Sequence, residues 1–185
     1  MKIIVYTASP NPDGLTAACG EAARLGAEKA GAQVQVVDLN KTRVGMCRAC
    51  GRGYGTCWSD HECQVLDDFQ NLHHEILQAD GFVMVSPVYW GEMSESAKAF
   101  FDRLRRCEGT RWEESGLKGK GAVGIAAAGG SGRGTITCLL SMQQFCQHVH
   151  AEIFDLITIT QKSRRYKLDT IGRCMAEMVQ SEREA

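Results

Sequence analysis

The 185-residue chain predicts an α/β three-layer sandwich on a five-stranded parallel sheet in the order 2-1-3-4-5. Three observations carry that expectation. Five short apolar runs are rich in β-branched residues and almost uninterrupted, which suits strands covered on both faces. Stripes of apolar residues spaced by three or four positions lie between them, which suits helices with one buried face. Strict alternation with right-handed crossovers then gives a parallel sheet with helices on both sides, and the strand count favours this order over a longer dinucleotide-binding sheet.

Taken along the chain, "KIIVYT" (2–7) is the first strand, and Leu15, Ala18, Ala22 and Leu25 mark a helix starting near Leu15. "QVQVVDL" (33–39) is the second, and Phe69, Leu72 and Ile76 mark the next helix, with Asp67 and Asp68 placed to cap it. "GFVMVSP" (81–87) is the third, its ladder ended by Pro87, followed by Ala97, Phe100 and Leu104. "GAVGIAAAG" (121–129) precedes Ile136, Leu139 and Leu140, and "AEIFDLITIT" (151–160) precedes Ile171, Met175, Met178 and Val179. The tail "SEREA" is expected to fray. No repeat or linker interrupts the pattern, so residues 1–185 read as one domain, with a cysteine-rich insertion at about 45–66. Two stretches lack periodicity, 40–66 and 105–119.

Bulk properties narrow the function. A formal charge of −1 gives no field for polyanions, and the basic clusters Arg103, Arg105, Arg106 and Arg164, Arg165 read as solvated helix faces. Nucleic acid is not an expected partner. Neither a leader pattern nor a membrane-length apolar run is present, so a soluble, cytoplasmic protein is expected. In that compartment an odd total of nine cysteines points to thiols or metal ligands rather than a disulfide framework.

Ligands of such sheets bind beyond the carboxyl ends of the strands, where strand order reverses. The loop after the first strand, "TASPNPDGLT", offers Ser9, Asn11 and Thr16, with Gly14 just before the helix; free N–H groups there suit a phosphate, although Thr16 or Asp13 capping an ordinary turn would explain part of it. After the third, Tyr89, Trp90 and Gly91 offer aromatic faces and close backbone approach to a flat ring, or the two rings pack under the loop. After the fourth, "AAAGGSGRGT" is a glycine wall with one cation, Arg133. Neither a G-x-G-x-x-G fingerprint nor a P-loop is present.

Together "ASPNPDGLT", "SPVYWGEMSESAKAFFDR" and "GGSGRG" resemble the flavodoxin-like NAD(P)H-dependent FMN reductase family over most of residues 1–150. The resemblance implies a flavodoxin-like fold and non-covalent FMN, with Ser9, Asn11, Gly14, Leu15 and Thr16 around the phosphate. It places Pro87, Val88, Tyr89, Trp90 and Gly91 along the isoalloxazine and ribityl chain, and Gly129, Gly130 and Arg133 at the closing wall. Family loops often carry a basic residue near Asn11 and an asparagine at Leu15, so here only the Leu15 backbone can serve. The chemistry belongs to the cofactor, so no acid–base triad is needed. None is found: His61, His73, His74, His148 and His150 have no partnered nucleophile and read as structural or solvated.

Cys47, Cys50, Cys57 and Cys63 put four soft ligands in one glycine-containing loop, enough for tetrahedral zinc or an iron–sulfur cluster. The resemblance extends to the iron–sulfur flavoproteins, which hold a four-iron cluster in this loop with the third cysteine closer behind the second; Gly53 stands there in this chain. Free thiols and disulfides remain the other readings. Cys19, Cys107, Cys138, Cys146 and Cys174 fall on helical patterns and read as small buried hydrophobes.

The expected function is an FMN-dependent oxidoreductase that passes reducing equivalents from NAD(P)H to a small acceptor such as a quinone, nitroaromatic, azo compound or free flavin. The first rival is a flavodoxin or iron–sulfur flavoprotein acting as an electron carrier with a protein partner, and the second is a flavin-free cysteine-rich binding module. Relatives commonly form homodimers or homotetramers, and the segments around Trp58 and Trp112 are expected contacts, or pack locally.

Overall fold

The computed structural model describes residues 1–184, with side chains described through residue 182. The elements run β1 (Lys2–Thr7), α1 (Leu15–Lys29), β2 (Gln33–Asp38), α2 (Thr56–Ser59), α3 (Phe69–Leu77), β3 (Gly81–Tyr89), β4 (Glu92–Met93), α4 (Glu95–Glu108), β5 (Gly121–Ala128), α5 (Thr135–Val149), β6 (Glu152–Thr160) and α6 (Arg164–Glu184). The five long strands lie parallel in the order β2-β1-β3-β5-β6, the expected 2-1-3-4-5 arrangement; β4 adds a short antiparallel pair on β3. The tail expected to fray continues as helix through Glu184, and Ala185 lies outside the described residues.

Apolar residues alternate along the central strands and so feed two cores. On one face Tyr6, Phe82, Phe100, Leu104 and Phe145 pack under α3, α4 and α5. On the other, Ile3, Val83, Ile125, Met175 and Met178 pack under α1 and α6. Only the central strands are covered on both sides. On the edge strands, contrary to expectation, Val36 of β2 and Phe154 of β6 remain exposed.

Two helix stripes also differ from the predicted ones. α1 buries Leu15, Cys19, Ala23 and Ala27 and leaves Leu25 exposed. Small residues win because this helix is packed backbone to backbone: a Cβ at Gly26 would run into the carbonyl of Gly172 in α6. α5 buries Cys138, Leu139, Met142 and Cys146, while Ile136 and Leu140 face outward.

Pro87 does not end β3. It pairs with Ala127, and the strand runs on to Tyr89. Val85 accepts a hydrogen bond from the Ala8 N–H, and Pro87, two residues on, presents the same edge beyond the end of β1, where no N–H is required. The chain then reverses through Trp90 and Gly91, both at positive φ (53° and 86°), into β4. That is the backbone of a two-residue type I′ hairpin. In the second irregular stretch, α4 continues to Glu108 and a 3-10 turn spans Gly109–Glu114.

Candidate functional site

Three loops leave the carboxyl ends of β1, β3 and β5, and hydrogen bonds fasten them to one another. The Ser94 hydroxyl, buried at the start of α4, donates to the Ala8 carbonyl at 2.8 Å, and its N–H donates to Ser86 Oγ at 2.9 Å. This joins the first loop to the second. The Thr137 hydroxyl donates to the Gly91 carbonyl at 2.8 Å, and a Cβ on Gly134 would lie 2.6 Å from Gly91 Cα. The second and third loops therefore meet backbone to backbone, which a side chain at Gly134 (φ 78°) would forbid.

In the first loop Ser9 Oγ accepts from the Asn11 N–H and Asn11 Oδ1 accepts from the Asp13 N–H, so the side chains shape the turn. Gly14 is the N-cap of α1, without a side-chain cap and with no acidic residue in the first turn. The alternative that Asp13 or Thr16 caps the helix is thus not realised. The leading N–H groups keep their donors, and the helix dipole is not neutralised there. Leu15 and Thr16 are buried. Val88 is half-buried, Tyr89 partly exposed, and Trp90 projects fully into solvent. Gly129 and Gly130 are exposed with nothing within 4 Å of where a side chain would stand, and Arg133 is exposed beside them. Donors at one end, open glycine at the other and aromatic rings between suit a phosphorylated planar ligand.

A second arrangement lies beside α4. Cys47, Cys50, Cys57 and Cys63 all line one hollow of about 20 Å³, room for a water-sized sphere. Its lining carries Arg48, Arg103 and Arg106 and no carboxylate. Among the described residues no three His, Cys, Asp or Glu groups stand in position to grip a metal ion. The four sulfurs therefore surround a space and do not form a coordination polyhedron. Gly51 and Gly53, at φ 61° and 113°, are places where this backbone can reshape. Sulfur donors with cationic neighbours fit a thiolate-bound, anionic centre on chemistry.

Side chains, and little regular structure, hold this loop. Arg103 Nη1 donates to Asp67 Oδ2 at 2.6 Å and to the Gly45 carbonyl at 3.1 Å, and Nη2 donates to the Val65 carbonyl at 2.8 Å. One guanidinium thus ties both ends of the cysteine segment to α4, stacked on the Phe69 ring at 4.3 Å. Gln70 donates to the Cys63 carbonyl, Thr110 to that of Cys57, and Arg106, lying over the Tyr54 ring, to that of Gly53. Burial pushes the Asp67 carboxyl up, but hydrogen bonds from Arg103 and the Gly45 and Phe69 N–H groups outweigh it and hold Asp67 below the usual range.

The solvated-face reading fails for Arg103, which is 1% exposed. Its spacing from Phe100 and Cys107, both fully buried, puts it on the apolar stripe of α4. That spacing, with an acid waiting at Asp67, was the available signal. Asp67 does accept the Phe69 N–H as expected at a helix start, while Asp68 bonds the Arg43 N–H instead. His73 is buried and lies 2.7 Å from Glu108, whose other oxygen accepts the Gly116 N–H; this pair anchors the turn after α4. Of the five helix cysteines, Cys19, Cys107, Cys138 and Cys146 are buried, whereas Cys174 is only partly so. Burial pushes the thiols of Cys19, Cys138 and Cys146 up to about 12, which makes them poor thiolates at neutral pH.

A parallel sheet in this order with three joined loops at its carboxyl rim defines a flavodoxin-like α/β protein. The family model described as NADPH-dependent FMN reductase matches residues 1–159, and the chain belongs to that family. It is 28% identical over 130 residues to an iron-sulfur flavoprotein of Methanocaldococcus jannaschii, covering 70% of this chain and 65% of that protein. It is also 28% identical over 130 residues to an iron-sulfur flavoprotein of Methanosarcina thermophila, covering 69% and 62%. The chain thus spans less than two thirds of the length of these relatives. Among solved structures, an NAD(P)H:quinone oxidoreductase from Methanothermobacter marburgensis superposes with a TM-score of 0.70 at 17% identity, over 96% of both chains, a likeness of fold. No helix among the described residues is long and apolar enough to cross a membrane.

Proposed function

We propose that this chain is an FMN-dependent oxidoreductase that takes reducing equivalents from NAD(P)H and delivers them to a small acceptor of the quinone, nitroaromatic, azo or flavin type. The observation that carries the reading is the start of α1, with no side-chain cap and no acidic residue in its first turn, at a rim where three loops are mutually hydrogen-bonded. The N–H groups of Leu15 and Thr16, with Ser9, Asn11 and Gly14 around them, hold the phosphate. Residues 87–91 hold the ring system, Tyr89 and Trp90 stack donor and acceptor in turn, and Gly129, Gly130 and Arg133 close the far wall. When bound, FMN supplies a two-electron acceptor that can release electrons singly or in pairs. The protein's part is positioning, exclusion of water and electronic tuning.

The four cysteines would hold an iron–sulfur cluster, a reading supported by the sulfur-lined, arginine-rich hollow and by the names of the relatives. That hollow also favours a second reading, an electron carrier serving a protein partner. Assembly into a homodimer or homotetramer is supported by Trp58 and Trp112, both exposed and facing one groove with Tyr54.

An anaerobic absorption spectrum tests the reading. Bleaching of the flavin bands on adding NAD(P)H is the expected result; a yellow protein that neither nucleotide reduces assigns the carrier role, and a chain that refuses added FMN removes both. For the metal, loss of iron in Cys50→Ser is expected, and equal iron in variant and parent would exclude this loop.

A further inference from the structure

Arg103 is the least expected group in the hollow. It is an arginine 1% exposed, on an apolar helix stripe, with four of its five N–H donors on the two terminal nitrogens. Those nitrogens are engaged by Asp67, Gly45 and Val65. The remaining donor, Nε, is buried and has no hydrogen-bond partner among the described residues. A buried unsatisfied N–H of a charged group is costly, and native proteins seldom leave one without a reason in function.

The surroundings say what that acceptor is. Arg103 lines the same hollow as the four cysteines, Cys63 among them. Among the described residues Asp67 is the one carboxylate paired with this cation, and it lies outside the lining. We propose that Arg103 is a positioning residue for the metal–thiolate centre, its Nε–H reserved for a sulfur of that centre and its charge tuning the centre's reduction potential. The inference rests on the iron–sulfur reading above and adds a named residue to it. Each electron accepted adds negative charge to an already anionic centre, so a buried cation beside it favours the reduced state and raises the potential. Asp67 opposes this by neutralising part of the same cation. A clamp that is purely mechanical would govern loop stability alone.

The two roles separate in one measurement. The parent, Arg103→Lys, Arg103→Gln and Asp67→Asn are supplied with iron and sulfide anaerobically, and the cluster's midpoint is read by EPR-monitored titration beside iron content and flavin absorbance. Lysine keeps the charge but has no Nε–H, so its midpoint falls; glutamine loses both, and its midpoint falls further. Asp67→Asn leaves Nε and the cation in place and removes the opposing charge, so its midpoint rises; this variant carries the test if the Arg103 variants do not fold. Unmoved midpoints in Arg103→Lys and Asp67→Asn would overturn the proposal while leaving the cluster in place. A parent that takes up no iron, or a Cys50→Ser variant that keeps it, would overturn the cluster reading as well.

Discussion

The rim beyond the strands and the cysteine loop beside α4 are both irregular, yet they are built in opposite ways. The rim inherits its shape from the sheet: its loops begin at strand ends and are joined by the Ser94 and Thr137 hydroxyls to the backbone carbonyls of Ala8 and Gly91. The cysteine loop inherits almost nothing. Among the described residues only the four-residue α2 interrupts it, and side chains from α3, α4 and the 3-10 turn after α4 hold its backbone carbonyls. The rim has the sheet behind its side-chain joints, whereas the cysteine loop depends on a few side chains, Arg103 foremost.

The sharpest way to break that contrast is Arg103→Ala. Removing one partner of a buried pair costs about 3–5 kcal/mol, and the loss should appear as rapid proteolysis within residues 45–67 and a lower urea midpoint, with the flavin rim still competent to bind FMN. Parallel loss of FMN binding in the folded variant would show that the two regions are one unit. On the rim, Gly134→Ala forces a Cβ against Gly91 at positive φ, a strain of about 1–3 kcal/mol. FMN titration should show affinity down by roughly tenfold or more for that strain, with the cysteine loop's resistance to proteolysis unchanged.

Ser94→Ala removes the joint between the first two loops and leaves the Ala8 carbonyl without its donor, at a cost of about 1–2 kcal/mol in thermal unfolding. A smaller effect is expected for Trp90→Ala, whose ring touches solvent alone: stability should hold within about 0.5 kcal/mol, while flavin retention weakens in equilibrium dialysis. Acid gives the gentlest probe. Asp67 and Glu108 both titrate below their usual values, Glu108 because hydrogen bonds from His73 and the Gly116 N–H overcome the upward push of burial. Their stabilisation is therefore complete above the unfolded carboxylate range of about pH 4 and is lost as pH falls through the lowered folded values. Loop proteolysis rising below about pH 4, before the sheet melts, would support the division of the molecule argued here.

Strand order and the placement of the rim were legible because alternation and crossover handedness leave few topologies, and ligand loops then fall at strand ends. The hairpin through Trp90 and Gly91 was harder to see, since a two-residue strand has no period to read. On α5 Leu139 was read correctly, but Ile136 and Leu140 lie off the face that buries Cys138, Met142 and Phe145; on α1 Leu15 was read correctly, but Leu25 is larger than the Cys, Ala and Gly residues that actually pack. Close helix contact rewards small side chains, and hydrophobicity alone does not record distance. Arg103 was misread for a related reason. Its charge outweighed its position on the stripe, and its acid partner lies 36 residues away in sequence.

The contact between Gly26 and Gly172 has a reach beyond its own surroundings. Two helices that meet without intervening side chains have no slack, so α6 acts as a splint along the back of α1, and the mouth of α1 is aimed before any anion arrives. Prising the splint away, for example with a side chain at Gly26, whose Cβ would meet the Gly172 backbone, would leave the sheet standing but let that mouth wander. The penalty would surface in the ordering entropy of binding, far from the altered atom.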